Sequence, residues 1–530
     1  MAAINKPQVV EFYYDIVCPF AYIASLRLPA IAAHASARIS YQPVLLGGIY
    51  RATQAQQGAH GSASDVANPT KRAYGSRHFA RTCRRLGVPL TWPDKDNHPV
   101  RSVDALRLLY GIPDDDGDGR GLRAAVSQAL YRTYWVEGRG KEVLGSREAL
   151  LEVARKALVP ILGSGGEEEV DKIVTMAVFD DPAAKAALEE NTAKAVARGA
   201  PGVPGFWVPD VEWVGPAGLD DVRRGRFFWG QDRMHFLHAA LLQAASGKSG
   251  GSQPVPKLLS LVPRARPLGR LPGGEQVRLE FWYDFSSPWA YLGWSGLARL
   301  QRQFGGKAKL EIVLRPVLLG VVFREIGAPM LPLFAASPQK RAWSSLDMQD
   351  WERFWQAVDN QDGLEGKDVM PEPLRWPDVF PIRSPNLSRC ALVDEAVVPT
   401  LYRACWVQNK NMSDDAVLVA VLDEAGFDGK ALLARAKTPE IKQQLADNTK
   451  EAIDAGFCGA PTYRVFHRDA SSTERGRNQG WKQFGSCVWG QDDTALVQDL
   501  ISGWDEDGSS REVAKIEAIE ATNKARLEKL

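Results

Sequence analysis

The sequence lacks a C-x-x-C pair, a long apolar run and any strong net charge. Its six cysteines show neither dithiol nor zinc spacing, so we predict no metal site. Without a run of about 18 apolar residues we expect no membrane span, and without an apolar signal core we expect a cytoplasmic protein. A net charge of +1 gives no electrostatic reason to expect a nucleic-acid partner.

What the sequence does contain is one series of motifs written twice in the same order. The stretch Y-D-I-V-C-P-F-A-Y begins at Tyr14 and returns as Y-D-F-S-S-P-W-A-Y from Tyr283. P-V-L-L-G and W-G-Q-D also occur twice, and the distance between copies falls only from 269 residues at Asp15 to 260 at Gln231. We therefore predict an internal duplication. The predicted parts are a first copy at 7–245, a linker at 246–274, a second copy at 275–503, and a C-terminal accessory helix or tail at 504–530.

Each copy is predicted to be an α/β domain. A strand-like run precedes each Y-D motif, a helix-like stretch follows it, and a second strand comes next. A helical insertion, at about 70–199 in the first copy and about 338–456 in the second, separates this beginning from a strand-strand-helix ending. Strands and helices that alternate in this way indicate the α/β class.

The first candidate site element is the residue before the proline that opens each helix, Cys18 or Ser287. Proline is tolerated at the first helical position, so the side chain before it faces free amide N–H groups and the positive end of the helix dipole. Such a position can stabilise a thiolate, either the protein's own or one brought by a cofactor. The simpler alternative is a helix cap. Ala21 and Ala290 stand where a redox dithiol would carry its second cysteine, which disfavours dithiol chemistry.

Three further motifs supply candidate binding residues in each copy. The proline of G-V-P or G-A-P, if cis, would expose the preceding backbone to an extended peptide, whereas the alternative is a trans turn. The Gln-Asp pair of W-G-Q-D could bind a head group carrying an ammonium and a carboxylate, or the Asp could merely cap the next helix. The lysine of P-x-K-R could meet an anionic ligand or lie on the surface. The candidates are Val203, Pro204, Gln231, Asp232 and Lys71 in the first copy and Ala460, Pro461, Gln491, Asp492 and Lys340 in the second.

Taken together, D-x-x-S-P-x-A-Y, P-V-L-L-G, P-x-K-R, G-V-P-x-F and W-G-Q-D-R resemble the kappa-class glutathione transferases and the 2-hydroxychromene-2-carboxylate isomerases of the DsbA-like thioredoxin superfamily. The resemblance implies two thioredoxin-like domains, each with an inserted helical domain, and glutathione as cofactor. Because those proteins are homodimers, we predict that the two copies pack as an internal pseudo-dimer within a monomer.

The resemblance also implies a role for each candidate. Ser287 would keep the glutathione sulfur as thiolate, and Cys18 occupies the same place in the first copy. The residues before the two cis-prolines would pair with the glutathione backbone, the Gln-Asp pairs would hold its γ-glutamyl head, and the lysines would lie near its glycine end. The sequence departs from the family pattern at Cys18, which could instead form a mixed disulfide, and at Asp493, which stands where the first copy has Arg233.

The predicted activity is that of a glutathione-dependent isomerase or transferase, which acts on a small aromatic or conjugated carbonyl compound by reversible thiolate addition. One alternative is a Cys18-dependent thiol-disulfide oxidoreductase or glutathione peroxidase. Another is a module that binds glutathione or a metabolite without turnover. We expect the second copy, which carries Ser287, to be the more family-like isomerase site.

Overall fold

The computed structural model describes residues 8–506, apart from residues 60, 63–64, 94–97, 115–119, 164–165, 215–221, 250–255, 273–275, 308 and 469–479. The accessory helix or tail predicted at 504–530 therefore lies almost entirely outside the described residues. None of the described helices is both long enough and apolar enough to cross a membrane.

The two halves of the chain repeat one order of elements. The first half contains β1 Gln8–Tyr14, α1 Pro19–His34, β2 Ala37–Pro43, α2 Leu46–Ala52, α3 Pro69–Leu86, α4 Val103–Gly111, α5 Leu122–Trp135, α6 Gly140–Leu144, α7 Arg147–Leu162, α8 Gly166–Ile173, α9 Pro182–Ala197, β3 Gly205–Val214, β4 Val222–Trp229 and α10 Met234–Ser249. The second half contains β5 Val277–Tyr283, α11 Pro288–Ser295, α12 Leu297–Gln303, β6 Leu310–Pro316, α13 Leu319–Glu325, α14 Pro332–Ala335, α15 Pro338–Gln361, α16 Pro385–Val393, α17 Val398–Trp406, α18 Asp415–Glu424, α19 Gly429–Ala436, α20 Pro439–Asp454, β7 Thr462–Arg468, β8 Trp481–Trp489 and α21 Thr494–Ile501.

Each half forms a mixed four-stranded sheet, in the order β2-β1-β3-β4 and β6-β5-β7-β8. In both sheets the first two strands are parallel and the remaining pairs are antiparallel. The strand that precedes each Y-D motif is therefore a central strand, and its end delivers the motif to the start of a helix. The predicted α/β class is confirmed, and in each half a run of helices separates the first two strands from the last two, as predicted.

The central strands carry the core because both of their faces are covered. Val10, Phe12 and Tyr14 are fully buried on one face of β1, and Tyr13 is fully buried on the other. Phe12 stacks on its cross-strand partner Phe206, with ring centroids 5.5 Å apart, and aromatic cross-strand pairs of this kind add to the stability of a sheet. These contacts hold the end of each central strand in place, and the candidate site begins there.

One predicted helix is divided. The stretch from 290 to 304 appears helical in the sequence, yet α11 ends at Ser295 and α12 begins at Leu297, on either side of Gly296. Glycine inside a helix costs about 1 kcal/mol relative to alanine, so a change of direction is least costly at this residue.

The chain forms two compact units, and each unit contains a short segment from the other half of the sequence. The first unit comprises Met1–Val66, Gly87–Leu261 and Leu333–Asp347, and the second comprises Ala67–Leu86, Val262–Pro332 and Met348–Leu530. Helix α3 thus belongs to the unit built on the second sheet, and the first part of α15 belongs to the unit built on the first sheet. The repeat boundaries given above and the internal pseudo-dimer stay predictions.

Candidate functional site

Ser287 sits at the N-terminus of α11 with its hydroxyl group fully engaged. Its Oγ accepts a hydrogen bond from the amide of Ala290 at 3.2 Å and donates one to the carbonyl of Ala460 at 2.9 Å. The residue is only 4% exposed. The capping interpretation is therefore confirmed for Ser287. The same hydroxyl also joins the helix end to the loop before Pro461.

Cys18 occupies the corresponding position in the first unit but behaves differently. It makes no capping bond, and its Sγ donates to the carbonyl of Val203 at 3.4 Å. Burial raises the pKa of this thiol to about 12, and the nearby amides of α1 offset only part of that effect. The thiol is therefore protonated at neutral pH. Of the two alternatives, a thiolate of the protein itself is therefore disfavoured at Cys18, because desolvation outweighs the helix dipole.

The carbonyls that accept these two bonds belong to the residues before Pro204 and Pro461. Both the Val203–Pro204 and the Ala460–Pro461 peptide bonds are cis, as the family resemblance implied. The structure thus brings Cys18 together with Pro204, and Ser287 together with Pro461. Pairing of these loops with a peptide ligand stays a prediction.

A tryptophan lies beneath each of these loops, a feature that the sequence analysis missed. A Cβ atom added at Gly202 would lie 3.3 Å from Nε1 of Trp229, and one added at Gly459 would lie 2.8 Å from Nε1 of Trp489. At Gly459 a side chain would clash with the indole, and at Gly202 the indole would have to shift by a few tenths of an ångström. Within the described chain, Nε1 of Trp229 is buried without a hydrogen-bond partner. In the sequence, the close packing of a large side chain here was indicated by the glycine that stands two residues before each proline.

The W-G-Q-D motifs turn sharply at their glycines. Gly230 and Gly490 have φ angles of 97° and 101°, and a Cβ at either would overlap the carboxylate of Asp232 or Asp492. The glycine therefore brings each Asp carboxylate close to the end of its strand.

The side-chain oxygens of both glutamines in these motifs already accept hydrogen bonds from other protein side chains. The Oε1 of Gln231 accepts from Arg27 at 2.9 Å, and that of Gln491 accepts from Nε1 of Trp355 at 3.0 Å. Nε2 of Gln491 is buried without a partner among the described residues. The carboxylate of Asp232 is about half exposed. A head-group site at Gln231, Gln491 and the two aspartates stays a prediction, and the carboxylate of Asp232 already accepts a hydrogen bond from Arg233 at 2.7 Å.

Each candidate lysine belongs to the compact unit that is built mainly from the other half of the sequence. Lys71, on α3, belongs to the second unit and places Nζ 5.5 Å above the ring of Trp489. Burial lowers its pKa. Lys340 is exposed on the part of α15 that belongs to the first unit. Their role toward a ligand stays a prediction.

Asp15 and Asp284 support the helix starts, although the sequence analysis assigned them no role. Each carboxylate accepts an amide from its own turn and one from the P-V-L-L-G motif, at 3.0 Å from Leu46 and 2.8 Å from Leu319. Burial raises the pKa of Asp15 to about 6 and raises that of Asp284. In the sequence, the importance of these two aspartates was indicated by the Y-D motif that occurs in both copies. Among the described residues, no group of three or more His, Cys, Asp or Glu side chains could hold a metal ion.

Comparison with known proteins gives matches along most of the chain. The family model of the DSBA-like thioredoxin domain matches residues 9–242, 278–365 and 374–502. The chain is 24% identical over 197 residues to glutathione S-transferase kappa 1 of Homo sapiens, which covers 37% of this chain and 83% of that protein. It is 23% identical over 235 residues to 2-hydroxychromene-2-carboxylate isomerase of Sphingobium xenophagum. This alignment covers 44% of this chain and 98% of that protein. A solved structure of a 2-hydroxychromene-2-carboxylate isomerase matches with a TM-score of 0.30 and 19% identity, over 42% of this chain and 92% of that one.

Proposed function

The chain belongs to the DSBA-like thioredoxin domain family, and we propose that it is a glutathione-dependent isomerase or transferase. Its substrate would be an aromatic or conjugated carbonyl compound, as the chromene carboxylate in the name of one relative suggests. The names of two further relatives, both kappa-class glutathione transferases, support glutathione as the thiol. The internal pseudo-dimer and a cytoplasmic location belong to the same proposal.

The observation that carries the proposal is the position of the Ser287 hydroxyl. It lies between the Ala290 amide and the Ala460 carbonyl, at the positive end of α11. When bound, glutathione supplies a thiolate that adds reversibly to an electron-poor double bond. With glutathione bound, Ser287 would direct its hydroxyl proton to that sulfur instead of to the carbonyl of Ala460. Hydrogen bonds to charged groups are worth about 1.5–3 kcal/mol, more than the neutral bond that is given up, so the exchange favours the anion.

The residues around Ser287 fit a short peptide with a charge at each end. The loop at Ala460 and Pro461 offers backbone groups to an extended chain. Nε2 of Gln491, which has no hydrogen-bond partner among the described residues, would be a donor for a carboxylate. The carboxylate of Asp492 would accept from an ammonium group. In the first unit, Nε1 of Trp229, which has no hydrogen-bond partner in the described part of the chain, would be a further donor beside the corresponding loop.

We assign the faster chemistry to the second unit. A hydroxyl is a stronger donor than a thiol, and the high pKa of Cys18 keeps it as a neutral, weak S–H donor. The first unit would therefore hold a glutathione thiolate less well. This reasoning also disfavours a mechanism in which Cys18 itself attacks a disulfide.

The test compares three variants in an isomerisation or conjugation assay with enone and chromene carboxylate substrates, with and without glutathione. Ser287→Ala should lower kcat/KM about tenfold to a hundredfold, because it removes one donor to the thiolate. Ser286→Ala, one residue earlier and half-buried, is the matched control and should leave the rate unchanged. Cys18→Ser should keep or raise the rate. Loss of all activity in Cys18→Ser with full activity in Ser287→Ala would establish the oxidoreductase alternative instead.

The binding-module alternative has its own signature. It expects glutathione to raise the melting temperature of the chain through preferential binding to the folded state, while no enone or chromene substrate is turned over. Turnover that depends on glutathione would exclude it.

A further inference from the structure

Two histidines of the first unit meet where α1 and α10 pack together. His34 is the last residue of α1, and His238 is in the second turn of α10. Nδ1 of His34 lies 2.9 Å from Nε2 of His238, and the two rings meet edge to face with their centroids 4.9 Å apart. A hydrogen bond between these nitrogens uses one proton, so one of the two nitrogens presents a lone pair to the other.

The second unit joins the corresponding helices, α12 and α21, without histidine. The offsets of 269 and 260 residues between the copies place Gln303 at the position of His34 and Gln498 at that of His238. Nε2 of Gln498 donates to Oε1 of Gln303 at 2.9 Å. Because an amide pair also makes this contact, joining the helices does not by itself require histidine. What imidazole adds is a nitrogen lone pair that can bind a transition metal.

The separation of the two imidazole nitrogens suits a shared metal ion. Zinc–nitrogen bonds are about 2.0–2.1 Å long, so two nitrogens on one ion lie about 2.9 Å apart at a right angle and about 3.4 Å apart at a tetrahedral angle. The observed 2.9 Å is at the lower end of this range. A small turn of the rings would let an ion replace the shared proton. Each ring then keeps its own proton on its other nitrogen, Nε2 of His34 and Nδ1 of His238, so no proton is gained or lost.

The surroundings of the pair favour a metal ion over a second proton. Burial and the neighbouring His34 lower the pKa of His238 to about 4, so this ring is neutral at pH 7, as a metal ligand must be. His34 is exposed, which gives an ion access from solvent and leaves room for water ligands. His34 also ends α1, where the negative end of the helix dipole attracts a cation, whereas His238 lies beyond the first turn of α10 and meets little of the opposite pole.

We propose that His34 and His238 bind a divalent transition-metal ion that prefers imidazole nitrogen, such as Zn²⁺ or Cu²⁺, with water completing its coordination. This inference does not depend on the proposed glutathione chemistry. A 16-residue helix is about 24 Å long, so the metal site and Cys18 lie at opposite ends of α1. The sequence analysis predicted no metal site because it considered closely spaced ligands, and these two histidines are 204 positions apart.

The ion would fasten the helix that begins at Cys18 to the helix that follows the first W-G-Q-D motif. Zinc sites are typically built from three or four protein ligands, whereas this one has two. The ion should therefore exchange with solvent, and the stability of the first unit should follow the free metal concentration.

The first experiment measures the melting temperature of the full chain, freed of metal with a chelator, with and without zinc chloride. Binding to the folded state should raise the melting temperature of the parent by about 2–4 °C. The double variant His34→Gln/His238→Gln has the amide pair that the second unit already uses, so it should fold normally and show no rise. His78→Gln, which removes another partly exposed imidazole, is the matched control and should keep the full rise.

The second experiment detects the ligands directly, with Cu²⁺ as a paramagnetic probe. The electron paramagnetic resonance spectrum of the parent should show hyperfine coupling to two imidazole nitrogens, and the double variant should lose it. An equal zinc-induced rise in the double variant would overturn the proposal. So would a parent chain that does not respond to zinc at up to about 1 mM, or a two-imidazole copper spectrum that survives the double substitution.

Discussion

Replacement of Arg81 by methionine tests whether α3 is a structural part of the second unit. Arg81 is fully buried and donates to Ser486, Cys487 and the Tyr74 hydroxyl, the last at 2.9 Å. It also lies 3.5 Å from the carboxylate of Glu506, which is itself buried. Methionine fills similar space but removes the guanidinium group that faces that carboxylate.

The expected loss follows from these contacts. Breaking a buried ion pair by removing one partner costs about 3–5 kcal/mol. Glu506 keeps one hydrogen bond, from the amide of Ser486 at 2.6 Å, so the lower half of that range is expected. Because Arg81 also holds the Tyr74 hydroxyl against Trp489, the loss should concentrate in β8.

Hydrogen exchange provides the assay, since it reports local opening free energies along the full chain. In Arg81→Met, the amide of Trp489 and its neighbours in β8 should exchange about 10²-fold faster, which corresponds to about 3 kcal/mol. The double variant Arg81→Met/Glu506→Gln should recover part of the protection, because it removes the uncompensated charge. Arg84→Met, on the exposed side of α3, should change nothing. Protection of β8 in Arg81→Met equal to that in Arg84→Met would refute the reasoning.

Three further predictions concern single groups. Cys18, with a pKa of about 12, should be alkylated at pH 7.5 about 10³-fold more slowly in the folded chain than in the unfolded chain, as followed by peptide mass spectrometry; equal rates would contradict the assigned pKa. Burial and the neighbouring His34 lower the pKa of His238 to about 4, so the folded state resists a proton that the unfolded state takes up below about pH 6.5. The urea midpoint should therefore fall between pH 7 and pH 4.5, and less so in His238→Gln; identical falls would count against it. Gly490→Ala should destabilise the chain by about 1–3 kcal/mol, because it combines a φ of 101° with an overlap on Asp492, and a melting temperature within error of the parent would argue otherwise.

The architecture could be predicted because its signals are local and occur twice. A strand before each Y-D motif, a proline at each helix start and a glycine before each site proline are all features of neighbouring residues. Such features indicate element types and their order, from which the α/β class follows. The position of Ser287 at a helix N-terminus was predictable for the same reason.

The environment of each group could not be predicted, because it depends on residues far away in the chain. The helix start at Cys18 suggested a stabilised thiolate, yet its pKa is controlled by burial under the folded domain. Arg81 and Tyr74 are ordinary polar residues of an amphipathic helix in the sequence, and their partners lie more than 400 positions later. No local pattern reveals that α3 docks on β8.

One departure noted in the sequence is explained by this docking. Arg233 and Asp493 occupy the same place after W-G-Q-D but carry opposite charges. Arg233 donates two hydrogen bonds to Asp347, at 2.7 and 3.0 Å, whereas Asp493 lies 3.4 Å from Nδ1 of His78.

Asp347 and His78 also correspond, since each follows its lysine, Lys340 or Lys71, by seven residues. The first position thus changes from arginine to aspartate between the two units, and the second from aspartate to histidine. A helix that brought Asp347 to Asp493 would place two carboxylates side by side, a repulsion that specific interfaces use against wrong partners. The charge pattern therefore matches each docked segment to its own sheet. It accounts for the aspartate that stands after the second W-G-Q-D motif where the first has an arginine.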